Sequence, residues 1–405
     1  MTGPRTRPAP PTASSARSLR RAYATLTVLS VAAFIFVTSE ILPFGLITLI
    51  ANDLGRTKSQ VGLLVTAYAL VIVAASVPLA HFTRHVPRRT VLAATLVTYS
   101  LGMILAVTLP GFGGLLAGRM LTALAQAQFW AVVTATAAGL FPPEVRGKAV
   151  SRLLIGPSAG GVLGLPTGTW LGLHFGWRVP FVVLACVGLV MAVAIVLLVP
   201  HYKPSDGSAA RGSAPNKRRF VVVLAVTATA VLGGAVIYTY ITPFLEEITG
   251  FASSVVFLVL FASGVAGMVS MVLVGRFLDR FPMGTLATGL GMVLVGWVGV
   301  GAFGTNKALV FAFFVFVGLG LSVMVGGFAN RVMQVSPGST DMGIAAYAAL
   351  YNAGTALGSL LGAGLLAWWG PRWLPMVAAG FVAIALGLVA AERKITAPVR
   401  ESQAR

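Results

Sequence analysis

Long apolar runs alternate with short polar gaps along this chain, from Tyr23 almost to its last residues. A helix needs about 20 mostly apolar residues to cross a bilayer. Twelve runs reach that length: 24–50, 61–82, 89–109, 112–140, 149–173, 178–199, 220–243, 252–275, 284–304, 307–332, 342–369 and 373–391. They are long and continuous, unlike the short alternating segments of a membrane β-barrel, so they predict helices. The expected fold is an all-α polytopic membrane protein of twelve transmembrane helices. The longest interior polar stretch, PHYKPSDGSAARGSAPNKRR at 200–219, divides the runs six and six. That layout predicts two six-helix halves, 23–199 and 220–393, joined by a cytoplasmic linker. Residues 1–22, rich in Pro, Ser, Thr and Arg, are expected to form a disordered cytoplasmic tail, and 394–405 a second tail.

A short internal repeat supports duplication. LAHFTRHVP at 79–87 and VGRFLDRFP at 274–282 each close the second run of their half, with Phe82 matching Phe277 and Pro87 matching Pro282.

Composition agrees with the pattern. The chain is 57% hydrophobic with mean hydropathy +0.90, and only 10% of its residues are charged. A soluble domain carries about 25%. The net charge of +19 does not point to nucleic acid, because the basic residues sit in the gaps between runs, where cytoplasmic loops meet anionic lipid. With the N-terminus inside, 23 of the 29 Lys and Arg fall in cytoplasmic segments, which sets both termini in the cytoplasm. A multi-pass protein of the cell inner (plasma) membrane follows. One chain supplies both halves, so a functional monomer is expected. The lone Cys186 excludes an intramolecular disulfide.

Few polar groups interrupt the runs, and these are the candidate chemistry. Glu40 lies mid-run, where a carboxylate is costly and usually functional. Such a group can take up a proton in one state and release it in another, or contact a cationic substrate. A structural carboxylate bonded to a neighbouring helix is the plainer alternative. Arg119 interrupts the fourth run, and Gln126 follows it on the same helical face. Arg119 reads either as a structural hydrogen-bonding post or as a proton-coupling partner of the protonatable group. Gln126, Gln128, Tyr238, Tyr347, Tyr351 and Asn352 are candidate substrate-cavity residues; Tyr347 and Tyr351 share a face by i, i+4 spacing.

Other residues suit conformational change. Gly160, Gly164 and Gly168 step by four in the fifth run, and Gly354, Gly358 and Gly362 do so in the eleventh. Small residues let membrane helices pack closely, or slide and bend. Pro157 and Pro166 each free a backbone carbonyl and permit a kink. Asp279 and Arg280, at the cytoplasmic end of the eighth run, can latch helices in one conformation. Together with Gly164, Pro166 and Gly168 they form the candidate conformational gate. The nucleotide loop GxxxxGK[ST] is absent, and so are CxxC, HExxH and any histidine cluster; the chain reads as a secondary transporter with no cofactor or metal.

Four stretches resemble the major facilitator superfamily. They are TSEILPFGLITLIANDLG at 38–55, AGRMLTALAQA at 117–127, GLPTGTWLGLHFGWRVPF at 164–181 and GRFLDR at 275–280. Within that superfamily the chain is similar to the twelve-span drug/proton antiporter branch, nearest to arabinose-efflux permeases and chloramphenicol exporters, over 23–393. There are departures: Ala80 and Arg84 stand where the loop pattern has Gly and Asp, and Gly164-Leu165-Pro166 has an extra residue before the proline. The resemblance implies proton-coupled efflux of a small organic molecule, such as an amphenicol or a sugar, by alternating access in membrane lipid. It also implies that Arg119 takes part in proton coupling. A proton symporter importing a nutrient and a non-transporting membrane sensor or scaffold are the alternatives.

Overall fold

The computed structural model describes residues 13–83, 85–141, 152–199, 214–338 and 340–395. Most of the 200–219 linker and the side chains of Asp279 and Arg280 lie outside the described residues. The chain is a helical bundle. Its helices are α1 (Ala13–Leu54), α2 (Lys58–Thr83), α3 (Arg88–Thr108), α4 (Gly111–Gly139), α5 (Ile155–Ala159), α6 (Leu165–Phe175), α7 (Arg178–Leu198) and α8 (Lys217–Tyr238). They continue with α9 (Ser253–Arg280), α10 (Pro282–Ala302), α11 (Lys307–Val335), α12 (Thr340–Trp369) and α13 (Leu374–Ile395). A π-helical turn, Gly160–Gly164, joins α5 to α6, and the short pieces Ile241–Pro243 and Phe244–Ile248 follow α8.

Among the described residues, ten helices are long and apolar enough to cross a membrane. This corrects the expected twelve spans in two halves of six. The run at 112–140 and the described part of the run at 149–173, from 152 on, are largely helical but fall short of that standard. Arg119, Gln126 and Gln128 lower the apolar character of α4. The 155–175 rod is broken into α5, the π turn and α6. Pro166 has no N–H to give to Val162, and the wide turn lies just before it, with Leu165 N–H bonding back to Gly160 O. Such bulges occur inside otherwise regular helices.

Backbone chemistry sets the ends. Gly55 takes φ 60 just past α1, and the Arg56 N–H reaches back to Ala51 O at 2.9 Å. That is the left-handed glycine closure common at helix C-termini. The Asn216 side chain accepts from Arg219 N–H at 3.0 Å and starts α8.

Helix packing follows the glycine stripes. An added Cβ on Gly164 would overlap Thr38, and on Gly168 or Gly172 would overlap Leu42 or Leu46, so this stripe lies against α1. Gly354, Gly358 and Gly362 lie against Ala228, Leu232 and Val236 of α8 in the same manner. Close approach without a side chain between backbones is what small residues permit in membranes. Pro157 leaves Leu153 O without its helical donor, and the Ser30 hydroxyl of α1 supplies one at 3.2 Å.

The two parts of the chain meet along α2–α12, along α9 with the π turn and α6, and where α1 touches Ile241–Pro243. The start of α1 and the end of α13 share one end of the bundle. Arg21 there bonds to Leu197 O and Leu198 O. Glu392 of α13 accepts from Arg331 at 2.7 Å and lies 4.0 Å from Arg219. The bonds between the two parts cluster at the opposite, far end. Thr48 Oγ1 donates to Glu246 Oε2 at 2.7 Å, and Thr242 Oγ1 donates to Phe44 O at 2.7 Å. Ser59 Oγ donates to Ala363 O at 2.7 Å, and Ser359 Oγ donates to Gly62 O at 3.1 Å. Lys58 forms an ion pair with Glu247. Gly62 leaves the space filled by the Tyr240 ring, whose hydroxyl donates to Ser359 O at 3.0 Å.

Candidate functional site

The site begins with a proline. Pro43 lies inside α1 and has no N–H, so the carbonyl of Ser39, four residues earlier, has no helical donor. Arg119 of α4 supplies it: Nη1 donates to Ser39 O, and Nη2 donates to Glu40 O at 3.1 Å. Arg119 is 1% exposed. The guanidinium also lies over the Tyr68 ring of α2, 4.1 Å from its centroid, an arrangement that stabilises a desolvated cation. These contacts offset part of the cost of burying the charge, while the buried Nε of Arg119 has no hydrogen-bond partner among the described residues.

The Glu40 carboxylate has a different partner. Gln126 Nε2, one face along α4 from Arg119, donates to Glu40 Oε2 at 2.6 Å. Tyr68 hydroxyl donates to Gln126 Oε1 at 2.7 Å. Tyr99 of α3 donates to Ile35 O at 3.0 Å and lies within electrostatic reach of Arg119 and Tyr68. Arg119 therefore holds the backbone that carries Glu40, while Gln126 holds the carboxylate.

The later helices bring a phenol within electrostatic reach of the carboxylate. Tyr351 of α12 lies within electrostatic reach of Glu40. Tyr347 packs on Tyr351 with ring centroids 6.0 Å apart. Tyr238 of α8 is within reach of Tyr351 and stacks edge-on against Trp297 at 5.4 Å. Glu40, Gln126, Tyr238, Tyr347 and Tyr351 are thus brought together. Asn352 turns its amide nitrogen to Ala348 O at 2.9 Å on its own helix, and its buried Oδ1 has no hydrogen-bond partner among the described residues. Gln128 lies elsewhere: its Nε2 donates to Thr83 Oγ1 at 2.9 Å, tying α4 to the end of α2. Gly164 and Gly168 line the α1 seam, and Pro166 opens α6.

Some residues of the site are not apparent from sequence patterns. Tyr68 and Tyr99 are the only tyrosines of α2 and α3, and a buried phenol hydroxyl needs a partner; that is the signal that marks Tyr68. Ser39 meets Arg119 through its backbone carbonyl, which leaves no trace in residue type, while its hydroxyl donates to Phe36 O at 2.9 Å beside Tyr68 and Tyr99. Two of the resembling stretches are also in contact: Asp53 accepts from Trp177 Nε1 at 3.0 Å and from Arg178 at 2.8 Å.

The Major Facilitator Superfamily sequence model matches residues 29–340 and 223–405. The chain belongs to that superfamily. It is 34% identical over 398 residues to a chloramphenicol efflux pump of Mycobacterium tuberculosis (strain CDC 1551 / Oshkosh), covering 93% of this chain and 94% of that protein. It is 29% identical to a probable sugar efflux transporter of Pasteurella multocida (strain Pm70), covering 91% of this chain and 92% of that protein. The fold matches the crystal structure of a bacterial homolog of the human lysosomal transporter Spinster, inward-facing and unoccupied, with TM-score 0.74 and 17% identity, over 93% of this chain and 97% of that one. As a superfamily member the chain is a multi-pass membrane protein and a secondary active transporter, not an enzyme. Within this superfamily fold, the carboxylate of the site comes from α1 and its guanidinium and Gln126 amide from α4, Tyr68 and Tyr99 come from α2 and α3, and the later helices contribute phenols and the Asn352 amide.

Proposed function

We propose that this transporter exports a small organic molecule in exchange for protons, with Glu40 as the proton carrier. The observation that carries the reading is the Glu40 carboxylate, held mid-helix in α1 by the Gln126 amide at 2.6 Å and within electrostatic reach of Tyr351 of α12. A carboxylate at that junction is shared by both parts of the chain, so its protonation can bias how they meet. The aromatic wall of Tyr238, Tyr347 and Tyr351, with the amide of Asn352, suits a neutral molecule bearing a ring and hydroxyl groups. The efflux relatives, a chloramphenicol pump and a probable sugar transporter, support export and that range of substrates. They also support assignment to the drug/proton antiporter branch.

The end of the bundle with both described termini carries Arg20, Arg21, Arg152, Lys217, Arg218, Arg219 and Arg331, and the basic-rich end faces the cytoplasm. The fastened far end is then external, which corresponds to a closed outer gate. Release requires those bonds to part as the inner end closes.

The test is substrate-triggered proton movement in everted membrane vesicles, read by a pH-sensitive dye. Chloramphenicol and a panel of sugars serve as probes, with Glu40→Gln beside the unsubstituted protein. Proton release from the lumen with the unsubstituted protein, absent in Glu40→Gln, is the expected result. Uphill export by Glu40→Gln at the normal rate overturns the reading.

A further inference from the structure

Tyr68 occupies a position that the proton-carrier reading does not use. It is 2% exposed, its ring is fixed beneath Arg119, and its hydroxyl donates to Gln126 rather than to Glu40. We infer that Tyr68 is a positioning residue for the proton on Glu40, acting through the Gln126 amide. The inference rests on the proton-carrier reading of Glu40.

The argument is one of donors and acceptors. An ionised carboxylate only accepts hydrogen bonds, a phenol can donate or accept, and an amide donates from one side and accepts on the other. In the structure the Gln126 N–H faces Glu40 at 2.6 Å and its oxygen faces the Tyr68 hydroxyl at 2.7 Å. That orientation is the one an ionised Glu40 requires. A protonated Glu40 keeps an acceptor oxygen but gains an O–H, and the amide oxygen that could receive it is already turned to Tyr68. Turning the amide to supply it points N–H at Tyr68, whose hydroxyl must then accept and send its own proton elsewhere. No covalent bond changes in this exchange: the proton stays on Glu40 and the amide rotates. The phenol oxygen cannot move away to relieve the change, because the ring is held under Arg119. Arg119 in turn holds Ser39 O and Glu40 O on either side of the carboxylate's own attachment. Tyr68 therefore favours the amide orientation that serves the ionised form.

The charged and titratable groups around Glu40 come from several helices. Arg119 faces it from α4, Tyr68 from α2 and Tyr351 from α12, while Tyr99 of α3 faces Arg119 and Tyr68. On the α6 and α7 side, His174 bonds to Trp170 O and Arg178 pairs with Asp53, both towards the far end. Ile241–Pro243 carries no titratable side chain.

The experiment uses the full chain, purified and reconstituted in liposomes, and needs no substrate. Infrared difference spectra follow the protonated-carboxyl band as pH is stepped. The proteins compared are the unsubstituted chain, Glu40→Gln, Tyr68→Phe, Gln126→Met and the double variant Tyr68→Phe with Gln126→Met. A band that disappears in Glu40→Gln reports Glu40. In Tyr68→Phe its midpoint is expected to move by about one pH unit to the alkaline side, a tenfold change in the protonation equilibrium. In Gln126→Met the midpoint also moves, and adding Tyr68→Phe to that background moves it no further, because the phenol acts through the amide. An unchanged midpoint in Tyr68→Phe, or a full additional shift in the double variant, overturns the inference while leaving the proton-carrier reading intact. If Tyr68→Phe does not fold, an unchanged midpoint in Gln126→Met overturns it alone. No titrating band removed by Glu40→Gln means that the proton-carrier reading itself has failed.

Discussion

A missing N–H at Pro43 accounts for the most constrained residue of the site. The carbonyl it leaves at Ser39 is buried, and in hydrocarbon a carbonyl without a donor is expensive. Arg119 answers two carbonyls at once with the fixed fork of its guanidinium. Truncating it strands Ser39 O, at about 1–3 kcal/mol for an acceptor left unpaired, and removes the second bond made to Glu40 O. Arg119→Ala is therefore expected to lower stability in detergent, measured by denaturant or thermal unfolding. Restoring the N–H with Pro43→Ala should recover part of that loss, and strictly additive effects of the two substitutions would contradict the link between them. Arg119→Lys should fall nearer to Ala than to Arg, since one ammonium cannot fork across two carbonyls. At this scale Glu40, Arg119 and Gln126 stand out in the sequence because charge and amide are rare in apolar runs. Which atom meets which does not. Arg119 bonds to the backbone rather than to the carboxylate, because the proline three residues beyond Glu40 leaves a carbonyl without its helical donor.

Between elements, the glycine stripes give sharper expectations than the polar residues do. Gly164 and Gly358 each leave no room for a Cβ, whereas Gly161 and Gly364, on the same rods, have open space around that position. Gly164→Ala and Gly358→Ala are expected to lower the unfolding temperature or abolish assembly. Gly161→Ala and Gly364→Ala should be neutral or slightly stabilising, by about 0.5–1 kcal/mol from helix propensity alone. Equal effects at all four positions would remove the seams from the account. The i, i+4 spacing of these glycines makes the stripes legible, but not the partner helix, which depends on long-range packing. The helix count shows the opposite difficulty. Judged by apolar length alone, the rods that contribute the Arg119–Gln126 face and the π turn fall below the standard of a spanning helix, because polar groups and wide turns dilute it. The residues of functional interest are those that most obscure the topology.

For the molecule as a whole, the fastened far end defines the conformation. Lys58→Cys with Glu247→Cys, in a background where the exposed Cys186 is replaced, should cross-link in this state. The cross-link is expected to stop transport, and reduction to restore it; unimpaired transport by the cross-linked protein would show that this end need not open. Lys58→Glu should favour separation there, read as increased labelling of a cysteine placed at Thr48 by a membrane-impermeant thiol reagent. The chemistry of the closure also has an energetic meaning. Apart from Lys58 and the two glutamates, its fasteners are hydroxyls on backbone carbonyls: Ser59 on Ala363, Thr242 on Phe44 and Ser359 on Gly62. Neutral groups of this kind exchange a protein partner for water at a net cost of about 0.5–1.5 kcal/mol each. No large desolvated charge is stranded when they part. The two conformations can therefore lie close in free energy, and a single proton or one bound molecule, with a few kcal/mol of preference between them, is enough to choose. The Tyr240 ring seated on Gly62 is the apolar part of the closure, and it too must leave its place when this end opens.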